Sequence, residues 1–253
     1  MAKASLSVII ITKNEADNMR ECLESVSWVD EIIVVDSGSE DNTIAICKDY
    51  TDKISINDDW KGFGHQKNLA LQQATKDWVL SLDADERITP ALRAEIENVI
   101  NNSDYSAFAI PRQAYFLGQA MKHGGWWPDY VVRLFRRNTG VFNSDDIVHE
   151  RILVNYPVWK LSTPMLHYSY TNLDQLMAKM NQYSSAGAYK AYRQEKKSSL
   201  LKAIAKAKWT FFRAYFLRLG ILDGQAGFIA AFSKAEETYY RYLKLSYLNK
   251  EHP

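Results

Sequence analysis

Over roughly the first hundred residues, apolar and polar positions come in alternating blocks. Leu6–Ile11 is a continuous β-branched run, which predicts a strand buried on both faces. Glu15–Val26 then places Met19, Cys22, Leu23 and Val26 at helical spacing. Glu31–Val35 is a second buried strand that ends at Asp36, and Ser37-Gly38-Ser39 reads as a turn. A helix over Asn42–Tyr50, a short strand over Lys53–Ile56, a helix over Asn68–Ala74 and a strand over Trp78–Leu82 follow. Thr89-Pro90 opens another helix, with Thr as N-cap and Pro in the first helical position. Continuous apolar strands alternating with helices predict an α/β fold, a mostly parallel sheet with helices on both faces.

From about residue 105 the pattern changes. Ser106–Arg112 and Val131–Arg136 read as strands around a Gly- and Trp-containing loop, Gly118–Pro128. Beyond Tyr170 the periodicity is helical, over about 173–193, 199–219 and 225–247. The expected division is an α/β domain over 1–170 and a helical region over 171–253.

Composition changes this picture little. The chain has 253 residues, 47% of them hydrophobic and 24% charged, which excludes disorder. MAKASLSVIIITKNE does not read as a signal peptide, and no run approaches the roughly 20 apolar residues that span a bilayer. Cys22 and Cys47 lie in helical patterns and are expected to be reduced core thiols of a cytoplasmic protein. Charge changes more. The net value of +1 hides 18 Lys and Arg against 25 Asp and Glu in residues 1–189, and 13 against 5 in residues 190–253. The basic end interleaves its charges with Trp209, Phe211, Phe212, Tyr215 and Phe216, which fits helices lying on an anionic membrane surface. The acidic remainder argues against nucleic acid as the partner of that face.

Three strand ends carry polar clusters: Thr12-Lys13-Asn14-Glu15, Asp36-Ser37-Gly38-Ser39 and Asp83-Ala84-Asp85-Glu86. Each alone is explained by capping or a turn. Together on one sheet edge they point to a shared ligand, because open α/β sheets bind ligands outside the carboxyl ends of their strands. Neither G-x-x-x-x-G-K-[ST] nor a G-x-G-x-x-G after the first strand is present. Asp-x-Asp suits Mg²⁺ or Mn²⁺ shared with substrate phosphates.

SVIIITKNEADNMRECLESV, EIIVVDSGSEDNT, GFGHQKNLAL and VLSLDADE, in that order, resemble the inverting glycosyltransferases of family 2, with the GT-A fold. DIVHERI, HYSY and RLGILDGQAGF resemble the bacterial branch that adds glucose to the inner-core heptose of lipopolysaccharide. The resemblance implies a UDP-sugar donor, a lipopolysaccharide core acceptor and a divalent metal, with 1–170 as the catalytic domain, 1–100 binding the nucleotide sugar and 101–170 giving the acceptor side and base. It implies that Thr12, Asn14 and Glu15 line a uracil pocket and that Asp36 accepts from uracil N3. Lys67 would contact the diphosphate, Asp83 the ribose, and Asp85 the metal. Glu150 is the expected general base, with Asp145 and Asp146 as rivals and His149 orienting it. His167 is a candidate further metal ligand. Trp126 and Trp127 would cover sugar from a closing loop. Arg133 and Arg137, on one strand face, would meet acceptor phosphates or form surface ion pairs. Glu86 is left open between ligand and water. A sugar nucleotidyltransferase, or a non-catalytic UDP-sugar binder at the membrane, are the alternatives. Against the first, Ile11-Thr12-Lys13-Asn14 lacks the Gly- and Arg-rich loop of that class.

Overall fold

The computed structural model describes residues 3–143 and 151–251. It divides into two units, Met1–Arg112 with Asp129–His167, and Gln113–Pro128 with Tyr168–Pro253.

The first unit is built on β1 (Leu6–Thr12), β2 (Glu31–Asp36), β3 (Ile54–Ile56) and β4 (Trp78–Asp83), parallel in the order β3-β2-β1-β4. Each of β1, β2 and β4 has residues buried on both sides of the sheet, as their unbroken apolar runs predict. Leu6, Val8, Ile10, Val34 and Leu80 face one core with α1 (Ala16–Ser25), α2 (Thr43–Lys48) and α4 (Pro90–Asn102). Ile9, Ile33, Val35 and Val79 face the other, against Ala70 and Ala74 of α3 (Phe63–Gln73) and its C-cap. Thr89 Oγ1 accepts from Leu92 N at 3.1 Å, so the expected cap of α4 forms. Cys22 and Cys47 are free and buried, and burial pushes the Cys47 thiol up to about 11.

Beyond β4 the sheet turns antiparallel, apart from β11 (Val158–Lys160), which pairs parallel with the strand over Ala107–Phe116. β8 (Asp129–Arg136) pairs with β4 and with β6 (Ala107–Phe116), and β12 (Met165–Tyr170) pairs with the two-residue β5 (Glu86–Arg87). The pattern of residues predicted no strand at β5 or β12. β5 is too short for any periodicity, and Met165–Tyr170 mixes Ser and His into its alternation. β9 (Gly140–Phe142) and β10 (Ile152–Val154) form a separate antiparallel pair. α3 begins at Phe63, five residues before its expected start, because Gly62 and Gly64 interrupt the apolar spacing there.

In the second unit, Gln119–Ala120 (β7) pairs with the end of β6, and three helices follow: α5 (Leu173–Arg193), α6 (Leu200–Phe212) and α7 (Gly224–Glu251). Residues 113–128, expected with the catalytic domain, group with these helices. Phe116, Met121 and Trp126 pack with Leu176 of α5 and Ala226 and Ala230 of α7. The expected helix over 199–219 ends early. After Phe212 the backbone widens into a π turn at Arg213–Leu217, and Leu219 adopts the left-handed conformation (φ 58°). The RLGILDGQAGF stretch explains this break. Gly220 lies against the Ala214 carbonyl, and a Cβ on Gly227 would stand 1.9 Å from the Gly220 carbonyl oxygen. Only glycine permits that approach of two backbones.

Candidate active site at the strand ends

Register brings the three polar clusters together. Thr12 lies opposite Asp36 across β1 and β2, and Ile11 opposite Asp83 across β1 and β4. The loops after β1 and β2 are tied to each other. Asn14, in a left-handed conformation (φ 54°), donates its N–H to Ser39 Oγ at 2.8 Å, and its Oδ1 accepts from Glu40 N at 2.8 Å. Ser39 Oγ in turn donates to Asp36 Oδ2. Asp36 is wholly buried, and its Oδ1 accepts from Gly38 N at 2.8 Å and Ser39 N at 2.7 Å. Its carboxylate therefore builds the turn first, and three of its roughly four lone-pair directions are used within the chain. Glu15 stands at the N-cap position of α1 without a side-chain cap: its carbonyl accepts from Met19 N at 2.8 Å and its carboxylate from Asn18 Nδ2 at 2.8 Å. Thr12 is 5% exposed, and its Oγ1 is buried with no hydrogen-bond partner. An orphaned hydroxyl at a strand end is unfavourable, and a ligand at this edge would satisfy it.

The Asp83-Ala84-Asp85-Glu86 cluster is compensated mainly by the protein's own cations. Lys67 Nζ, 2% exposed as a residue, sits 2.8 Å from Asp83 Oδ1. Arg133 Nη2 bonds Asp83 Oδ2 and lies 2.7 Å from Glu86 Oε1. Burial favours the neutral form of Asp83, but Arg133 and Lys67 outweigh it and hold the carboxyl well below the usual range. Burial likewise acts to lower the Arg133 value, and the two carboxylates raise it well above the ordinary arginine value. Arg133 thus forms a buried bridge, where the sequence predicted acceptor phosphates or a surface pair, because β8 pairs with β4 directly beside the cluster. Arg137 lies past the end of β8 and donates its Nε to the Lys76 carbonyl at 2.9 Å. Glu86, left open by the sequence, is wholly buried. Its Oε2 accepts from Asp83 N at 3.0 Å, and Arg112 Nη1 stands 3.6 Å from its Oε1.

Arg87, which sequence reasoning passed over, clamps the same turn. It donates to the Ala84 carbonyl at 2.7 Å, the Glu86 carbonyl at 2.9 Å and the Asn18 carbonyl at 2.8 Å. A basic residue directly after a carboxylate cluster was the available signal.

Asp85 faces an imidazole. Its side chain is 21% exposed, and His167 Nε2 lies 3.3 Å from its Oδ2. The β5–β12 pairing sets this contact, since His167 is opposite Glu86. Carboxylate oxygen and imidazole nitrogen are both donors that Mn²⁺ accepts, and two protein donors at an accessible edge leave positions for diphosphate and water. The pair therefore fits a divalent cation. Among the described residues no group of three His, Cys, Asp or Glu side chains could hold a metal. Asp145, Asp146, His149 and Glu150 lie outside the described residues. Trp126 packs within the second unit, its ring centroid 5.7 Å from Phe116 and 6.4 Å from Tyr170, and Trp127 is part-buried.

Residues 7–155 match the model of the family described as glycosyl transferase family 2. The chain is 31% identical, over 95% of its length and 94% of the relative's, to a lipopolysaccharide core biosynthesis glycosyltransferase, LpsC, from Rhizobium meliloti (strain 1021). It is also 31% identical to an uncharacterized glycosyltransferase of Rickettsia felis, covering 95% of this chain and 89% of the other. Among solved structures, TarS 1-349 of S. aureus in complex with UDP superposes with a TM-score of 0.50 at 18% identity, covering 97% of this chain and 92% of that one. A mannosyltransferase from Pyrobaculum calidifontis, in complex with GDP-Man and Mn²⁺, gives 0.52 at 16% identity, covering 94% and 74%. These two likenesses concern the GT-A fold.

Proposed function

This chain belongs to glycosyl transferase family 2, and on that footing we propose that it moves a hexose, glucose in our reading, from a UDP-sugar to an inner-core heptose of lipopolysaccharide, with inversion at the anomeric carbon. The observation that carries the reading is the accessible Asp85–His167 pair, set beside an Asp83 that Lys67 and Arg133 hold ionised. The acceptor class rests on the printed name of the Rhizobium meliloti relative.

Each part of the edge has a role in this reading. Thr12, Asn14, Glu15 and Asp36 form the uracil end of the donor site. Asp83 meets the ribose, its orientation fixed by Lys67 and Arg133. Lys67 therefore acts on the donor through Asp83, because its ammonium is buried against that carboxylate. Asp85 and His167 hold Mg²⁺ or Mn²⁺, which would act as a Lewis acid that stabilises negative charge on the UDP leaving group. The acceptor hydroxyl attacks the anomeric carbon, the bond from that carbon to the UDP oxygen breaks, and the hydroxyl proton passes to the Glu150 carboxylate. Asp145 and Asp146 are the rival bases.

The second unit supplies the membrane side of the proposal, on the cytoplasmic face. Trp209, Phe212 and Phe216 are exposed and stack along one another, with centroids 6.0 and 5.5 Å apart, amid the lysines of α6. No helix among the described residues is long and apolar enough to cross a membrane, so the aromatic and basic mixture suits an interfacial contact.

The test is product analysis. The purified chain is incubated with UDP-α-glucose, Mg²⁺ or Mn²⁺, and a heptose-terminated core acceptor. A β-glucoside and UDP are expected. An α-linked product would overturn inversion, and pyrophosphate release would point instead to a nucleotidyltransferase.

A further inference from the structure

The second unit encloses a cavity of about 410 Å³ that the reading above does not use. Its size falls in the usual range of ligand pockets, roughly 300–1,000 Å³. Phe116, Trp126 and Tyr170, packed on one another, make an apolar aromatic wall. Facing it are Arg213 and Arg218.

The π turn is what brings those two arginines together. In an ordinary helix, at 100° per residue, positions five apart diverge by roughly 140°. Here Arg218 N donates to the Arg213 carbonyl at 2.8 Å, a bond over five residues that closes one wide turn and returns both to the same cavity. The loop opposite is shaped to admit Arg218. Gly124 N donates to the Arg218 carbonyl at 2.8 Å, and a Cβ on Gly125 would stand 2.3 Å from Arg218 Nη1. Glu237, the acidic residue lining the cavity, is taken up by Lys234 at 2.8 Å and by Arg241. Among the described residues neither Arg213 nor Arg218 has a carboxylate partner. Two guanidiniums lining one cavity favour an anion with several acceptor oxygens, and their planar forks match phosphate. A bare phosphate would leave the aromatic wall facing water.

We infer that this cavity binds one phosphate-bearing lipid of the membrane surface, its phosphate on Arg213 and Arg218 and its apolar chain along the Phe116–Trp126–Tyr170 wall. The inference builds on the membrane-contact reading but names a separate element, a pocket for a single molecule.

Calorimetry on the full chain with dihexanoyl phosphatidic acid, below its micelle concentration, tests it without vesicles or turnover. Saturable binding of one lipid per chain is expected, weakened at least tenfold in the Arg213→Gln, Arg218→Gln double variant. Inorganic phosphate should bind at least tenfold more weakly than the lipid. Lack of saturable binding by the unaltered chain, equal binding by the double variant, or equal binding of inorganic phosphate would each overturn it. Co-sedimentation with phosphatidylglycerol vesicles, run in parallel, separates the two readings. Vesicle binding without soluble-lipid binding sinks the cavity and keeps the surface contact.

Discussion

Arg133 and Glu86 form a buried ion pair, 2.7 Å apart, with Glu86 wholly excluded from solvent. The same guanidinium grips Asp83, so one side chain from β8 sets the geometry of the whole strand end. Removing one partner of such a pair leaves a buried charge uncompensated, at a cost of about 3–5 kcal/mol. Arg133→Met should lower the free energy of urea unfolding by about that amount. A loss under about 1 kcal/mol would show that the carboxylates find another cation or protonate cheaply.

Asp85, its side chain 21% exposed, meets His167 Nε2 at 3.3 Å. Asp85→Ala should leave the melting temperature close to that of the unaltered chain while abolishing metal-dependent transfer. Near-normal turnover in the variant would remove Asp85 from the metal site. His167→Ala should weaken metal dependence less severely, because a carboxylate supplies more charge than a neutral imidazole. Titrating Mn²⁺ against initial rate measures both.

Glu150 is the proposed base. Glu150→Gln keeps the shape of the side chain but cannot take up the proton. UDP-sugar affinity, read by calorimetry, should be preserved while transfer falls by about 10²–10⁴-fold, the usual scale of general-base catalysis. If donor affinity collapses instead, the residue belongs to the donor pocket and Asp145 or Asp146 becomes the base.

Glu31 links the fold to pH. Burial acts to raise its pKa, but Lys53, Ser7 and Thr75 all donate to it and bring it down from 4.5 to about 2. Its folded value lies below its unfolded value. The stabilisation is therefore present in full above about pH 4.5 and is lost as pH falls towards about 2. Glu31→Gln should flatten the dependence of unfolding free energy on pH across that window, as followed by circular dichroism. An unchanged slope would place the acid sensitivity elsewhere, with Asp83 the next carboxylate to examine.

Gly227→Ala introduces a methyl group where the Gly220 carbonyl oxygen stands 1.9 Å from the ideal Cβ. Backbone has to shift on both sides, and overpacking of this kind costs about 1–3 kcal/mol. A lower thermal midpoint, with increased proteolysis within residues 213–228, is the expected result. A variant as stable as the parent would mean that α7 can slide without penalty.

Much of the first unit was legible because β1, β2 and β4 are buried on both faces, so their runs of Val, Ile and Leu need no periodicity to be recognised. The three polar clusters at their ends were equally plain. Less legible was what compensates Asp83 and Glu86. Lys67 reads in sequence as a phosphate contact and Arg133 as a surface charge, and nothing local distinguishes a cation aimed at solvent from one buried against a carboxylate. Arg87, marked in sequence only by its place after the carboxylate cluster, was missed because three of its bonds go to backbone carbonyls.

By itself, then, the sequence determined the parallel strands, the helices over them and the placing of Thr12, Asp36 and Asp83 at the strand ends, because local patterning and chain order dictate all of these. Tertiary structure alone decided which cation or imidazole each carboxylate meets. That depends on β8 and β12, which reach the cluster from fifty and eighty residues further along the chain. β8 brings Arg133 to neutralise Asp83 and Glu86, and β12 brings His167 to Asp85. It likewise decided that Arg213 and Arg218 share a cavity, since a π turn adds the one residue that helical periodicity does not anticipate.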